Sequence, residues 1–139
     1  MKLTMVQADR TGLIKLYDLF QLFEKYNVKT EFDLLSEDSD SYDFFMLEAI
    51  LEAGYRPRVV MVEYNANFEL TEARSILPPR EGEAWQRWDS STYQGMSLLA
   101  AQYLLNRFSY SVVWANKEQV QFKQPESQLL VLLKFMHMP

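Results

Sequence analysis

Apolar residues recur at three- and four-residue spacing through residues 13–26. Leu13, Leu16, Tyr17, Phe20 and Phe23 line one face, and Leu19 and Leu22 widen it. That period predicts an amphipathic helix, with Asp9 or Thr11 placed to cap its start and Asn27 to end it in a left-handed turn. Residues 32–36 form a short strand candidate that runs into an acidic stretch. A second helix is predicted over 41–53, with Phe44, Leu47, Ile50 and Leu51 as its buried face. Asp40 stands at its N-cap and Asp43 three positions later, close to a capping box. Gly54 stops this helix, Tyr55 supplies the following hydrophobic contact, and Pro57 prevents a restart. The unbroken run Val59-Val60-Met61-Val62 has strand length, and between helices it reads as a strand covered on both faces in a parallel sheet.

The pattern then breaks. Residues 66–96 hold Pro78, Pro79, Trp85 and Trp88 among mixed charges with no sustained period, a loop long enough to expect a function for it. Ser97 is placed to cap a third helix with Leu98, Ala101, Leu104 and Leu105 inward, and residues 112–115 make another strand. Val120 and Phe122 alternate, Pro125 marks a turn, and residues 129–135 are again apolar. Either residues 119–123 or residues 129–135 supply the last strand. The alternation of strands and helices predicts one α/β domain over residues 1–139.

Composition narrows the chemistry. The 139 residues hold four glycines, at positions 12, 54, 82 and 95, and the closest pair is thirteen positions apart. No Gly-x-Gly-x-x-Gly fingerprint or P-loop can be written with that spacing. Without cysteine there is no disulfide, thiolate metal site or cysteine nucleophile. His137, the single histidine, argues against a Ser-His-Asp triad or a histidine-ligated metal. A net charge of −5 with scattered Lys and Arg speaks against a nucleic-acid surface. No signal peptide and no stretch of ~20 apolar residues is present, so the default expectation is a cytoplasmic protein without membrane contact.

Two polar clusters fall just beyond predicted strands, where open α/β sheets bind ligands. Asp38 and Asp40 follow the first strand; Glu63 and Asn65 follow the second. Together they offer oxygen ligands for a hard cation such as Mg²⁺, with Asp38, Asp40 and Glu63 as the candidate set. They also suit a general base or the binding of substrate hydroxyls and amines. Against this, Asp40 and Asp43 are accounted for as helix caps. Trp85, Trp88 and Tyr93 admit two readings, a lid over a substrate or aromatic pins holding a long connection to the domain.

The stretch Leu35-Ser36-Glu37-Asp38-Ser39-Asp40-Ser41-Tyr42-Asp43 resembles the Leu-Ser-Ile-Asp-Ile-Asp-Gly-x-Asp segment of FkbM-like SAM-dependent methyltransferases. Leu47-Glu48-Ala49-Ile50, Arg56-Pro57-Arg58-Val59-Val60, Glu63-Tyr64-Asn65 and Tyr93-x-Gly95-x-Ser97-Leu98 continue the likeness in order. Glu37, Ser39 and Ser41 depart from it, standing where the family pattern has two apolar residues and a glycine. The resemblance implies the C-terminal half of a Rossmann-like methyltransferase sheet. About four to five strands are expected, mostly parallel with an antiparallel C-terminal strand, and helices on both faces. Residues 124–139 form a divergent tail. By the same resemblance Asp38 and Asp40 lie beside the reacting methyl group, Glu63 and Asn65 end the next strand, and Trp85, Trp88 and Tyr93 are substrate-side residues.

The half that carries the SAM-binding glycine-rich loop is not represented in these residues. The expected activity is therefore a methyltransferase-like domain inactive alone, with SAM a cofactor of the complete family domain only. The alternatives are an active enzyme completed by another segment or chain, and a non-enzymatic interaction module. In a complete sheet the 32–36 strand would be internal. Its free edge predicts either a homodimer or a complementing chain there, or cover by residues 2–7.

Overall fold

The computed structural model describes residues 16–38, 42–78, 94–116 and 119–124. Helix α1 (Leu16–Lys25) is followed by β1 (Glu31–Glu37), α2 (Asp43–Glu52), β2 (Arg56–Glu63), α3 (Leu98–Asn106), β3 (Ser111–Ala115) and β4 (Gln119–Lys123). Both expected helix stops are present. Asn27 adopts φ 49° and Gly54 φ 91°, while the amides of Val28 and Tyr55 reach back to the carbonyls of Phe23 and Ile50. At Gly54 the space around an added Cβ is open, so its left-handed backbone rather than crowding calls for glycine. Ser97 caps α3 as expected, its Oγ accepting from the Ala100 amide at 3.1 Å. The expected cap of α2, Asp40, lies outside the described residues. The N-cap position there is Tyr42, which makes no side-chain cap bond, and Asp43 is the first helical residue.

The four strands form one sheet in the order β1-β2-β4-β3. β1 and β2 are parallel, with Leu35 opposite Val60; β2–β4 and β3–β4 are antiparallel. The sheet is mixed: β1, β2 and β3 run one way and β4 runs against them, so most neighbouring pairs are antiparallel. The physical reason is the connection after β3. Three residues separate Ala115 from Gln119, enough for a hairpin and far too few for a crossover. The expected antiparallel C-terminal strand is present as β4, inserted between β2 and β3, while residues 129–135 lie outside the described residues.

Side-chain alternation divides the sheet into two faces. Val60 and Val62 of β2 and Val120 and Phe122 of β4 are fully buried. They pack with Leu47 and Leu51 of α2 and Ala100, Ala101, Leu104 and Leu105 of α3. α1 adds Leu19 and Phe23 against Met46 and Ile50 of α2, with Leu35 and Tyr55 beside them. Helices were expected on both faces; the three described helices all share the face of Leu35 and Val60. The opposite face interleaves Leu34, Met61 and the buried Val59 with the polar Ser36, Gln121 and Lys123. Among the described residues no helix is long and apolar enough to cross a membrane.

Two contacts brace this layer. Arg107, just after α3, pairs with Glu48 at 2.7 Å and Glu52 at 3.2 Å on α2; being exposed to solvent, these pairs orient the two helices more than they stabilise them. The buried Tyr110 hydroxyl donates to the Pro57 carbonyl at 2.6 Å, tying the chain after α3 to the start of β2. Pro57 itself precedes the β4 ladder, which begins at Val59, so its missing N–H removes no bond there.

Burial pushes the Tyr110 hydroxyl up to about 12, from an ordinary value near 10. The neutral phenol is favoured in the folded state, so its contribution is complete below about pH 10 and is lost as pH rises towards about 12. Tyr110→Phe is expected to lower unfolding free energy by about 1 kcal/mol at neutral pH. It should also flatten the alkaline decline in stability, as read by urea denaturation at stepped pH.

Candidate functional site

The carboxyl ends of β1 and β2 point to the same end of the sheet, because the two strands are parallel. The N-termini of α2 and α3 return to that end. Four polar residues buried within the chain gather in these segments: Glu37 closes β1, Asp43 opens α2, Asn65 follows β2, and Ser97 caps α3. Asp43, Glu63, Tyr64, Asn65, Gln94 and Gly95 enclose a cavity of about 10 Å³. That is room for one water-sized group, far below the several hundred Å³ of ordinary ligand pockets.

Asn65 organises this end of the molecule. Its backbone amide donates to Met96 O at 2.8 Å, and its Nδ2 donates to Gln94 O at 3.1 Å. Its Oδ1 accepts from the amide and the side chain of Asn67 at 3.0 and 2.9 Å. One side chain thereby ties the 94–96 segment and the turn after β2 to the sheet. Ser97 makes a second tie, since its Oγ also accepts from the Arg74 amide at 3.0 Å. The Tyr64 hydroxyl donates to the Asn116 carbonyl, joining the end of β2 to the end of β3. Gly95 has φ 60°, and Asp43 Oδ2 would lie 3.8 Å from a Cβ built there, so the loop passes close over the start of α2.

Of the residues expected from the sequence, Glu63 and Asn65 line the crevice. Asp38 lies just past β1, exposed to solvent. Asp40, Trp85, Trp88 and Tyr93 lie outside the described residues, as do residues 2–7. Among the described residues no three acidic or histidine side chains come together as a metal-holding group; Asp38 and Glu63 do not by themselves make the oxygen cage a divalent cation needs. Asp40, the third member of the candidate Mg²⁺ set, lies outside the described residues.

Sequence reading passed over Asp43 as crevice lining, because a carboxylate in the first turn of a helix is sufficiently explained by capping. In the structure it is 1 % exposed, with an internal interaction partner, as burial of a carboxylate demands. Gln94 was also passed over; it acts through its backbone carbonyl, for which side-chain identity carries no signal. A second, open depression of about 250 Å³ lies between α2, α3 and residues 73–75, with Phe44, Tyr103, Arg74 and Arg107 on its wall. Both arginines there are already held by carboxylates, Arg74 by Glu72 at 2.9 Å and Arg107 by Glu48 and Glu52.

Asn65→Leu, which keeps the bulk and removes the amide, should destabilise the chain by about 2–3 kcal/mol by leaving Gln94 O and Asn67 N without this partner. Asn65→Asp keeps the acceptor for Asn67 but sets an oxygen against Gln94 O in a buried site and should also destabilise, with both read by urea denaturation.

Comparison with protein-family models, with curated proteins and with solved structures finds no match to this chain.

Proposed function

We propose that this chain is a methyltransferase-like half-domain that supplies the acceptor side of a site and does not bind SAM by itself. The observation that carries the reading is the β1–α2–β2 unit, whose parallel strands bring Asp43, Glu63 and Asn65 to their carboxyl ends. The antiparallel β4 beside β2 agrees with the sheet implied by the motif series from Leu35 to Leu98. Two further features support inactivity of the chain alone. Its glycines are too far apart for a donor-binding loop, and the crevice has room for a water-sized group rather than a cofactor. Methyl transfer depends on holding donor and acceptor in line, and much of the rate comes from that positioning.

A second reading, completion of the site by another segment or chain, is favoured by the place of β1. Among the described residues it is an edge strand, its other side unpaired by any described strand. A further strand added there would extend the sheet beside Asp38. That carboxylate, exposed at the strand end, is then placed beside the completed site, where a general base would take a proton from an acceptor hydroxyl or amine. SAM would supply the methyl group.

Titration calorimetry of the chain with SAM and with S-adenosylhomocysteine is expected to show no binding heat up to millimolar ligand. Micromolar binding of either would overturn the reading of a half-domain inactive alone.

A further inference from the structure

The face of the sheet turned away from the described helices carries a contiguous apolar patch. Register sets Phe32 beside Pro57 and Leu34 beside Val59 across the β1–β2 pair, with Met61 next along β2. Leu34 is 40 % exposed, whereas Val59 is buried at 9 % and belongs to neither of the helix-packed clusters. Pro57 is buried as well. The described chain ends against this patch. The Gln124 amide donates at 3.3 Å to the carbonyl of Arg58, the residue between Pro57 and Val59. Residues 125–139 follow, opening with the polar stretch Pro-Glu-Ser-Gln before Leu129-Leu130-Val131-Leu132-Leu133.

We propose that residues 129–133 cover this patch, so that the C-terminal segment of the chain supplies the apolar cover that no described helix gives this face. Starting point and reach select that segment. The four residues 125–128 span at most about 14 Å. Two strand spacings of ~4.8 Å carry a chain from β4 across β2 to β1, and the order β1-β2-β4 puts the whole patch within that reach of Gln124. The other long segments outside the described residues start elsewhere. Residues 1–15 lead into α1 in the helix layer, and residues 79–93 end at Gln94 on the crevice. Chemistry agrees with reach. Five successive large apolar side chains favour leaving water. Phe32, Leu34, Pro57, Val59 and Met61 offer them an uncharged surface on the same chain, which a short tether presents at an effective concentration of roughly millimolar. The inference concerns a different surface from the crevice and does not rest on the methyltransferase reading.

Cysteine pairs test it in the full chain, which has no cysteine of its own. Met61→Cys is combined in turn with Leu130→Cys, Val131→Cys and Leu132→Cys and oxidised under mild conditions. Tyr103→Cys, on the exposed side of α3, is combined with the same three positions as the control. At least one Met61 pair is expected to close an intramolecular disulfide roughly tenfold or more faster than any Tyr103 pair, at a rate independent of protein concentration. Equal rates overturn the proposal, as does the absence of a Met61 disulfide or closure only between two chains. Should the Met61 variants fail to fold, methyl NMR of the parent chain decides. Cross-peaks between the Met61 methyl and the Leu or Val methyls of residues 129–133 are expected, and their absence overturns the proposal.

Discussion

The ladder between β2 and β4 joins two parts of the chain about sixty residues apart, from Val59 opposite Lys123 to Glu63 opposite Gln119. Along the sequence β4 belongs with β3, its hairpin partner. In space it occupies the place between β3 and β2, so the β1–α2–β2 unit and the α3–β3–β4 unit become one sheet through this ladder. The same pairing sets Val60 beside Phe122 and Val62 beside Val120, four side chains with no exposed surface. A shift of one residue would turn all of one strand's apolar side chains to the wrong face. The burial of Leu47, Leu51, Leu104 and Leu105 against this patch depends on that register.

The crevice is a consequence of this arrangement. Parallel pairing of β1 and β2 brings their carboxyl ends together, and the returning segment before α3 closes over them through Asn65, Gly95 and Ser97. The bonds made by Asn65 and Ser97 are largely to backbone groups, which makes the end of the sheet rigid and the enclosed space small. Polar groups beyond the ends of parallel strands are the usual setting of a ligand site. Here they are chiefly occupied in holding the loop.

Much of the fold was legible because its signals are local. The period of Leu19 and Phe23, the left-handed stops at Asn27 and Gly54, the cap at Ser97 and the run from Val59 to Val62 each require only neighbouring residues to act. The mixed character of the sheet was expected only through the family resemblance, not through the local pattern. A pattern of alternating strands and helices suggests parallel neighbours, and nothing in Val120-Gln121-Phe122 says which strand they will lie beside. At the site, Glu63 and Asn65 were found because they follow an apolar run. Asp43 and Gln94 were not, since a first-turn carboxylate has a sufficient local explanation and a backbone carbonyl has no sequence signature.

The sequence by itself determined the elements and their ends, the absence of a glycine-rich phosphate loop from these residues and the acidic character of the first strand, because these follow from side-chain period, backbone preference and composition. Tertiary structure alone decided the insertion of β4 beside β2, the gathering of the described helices on one face and the burial of Asp43. Each of these depends on which distant segments meet, and the hydrophobic effect that drives the meeting is non-directional. Its outcome is set by the joint fit of all the faces at once, which no single stretch of sequence contains.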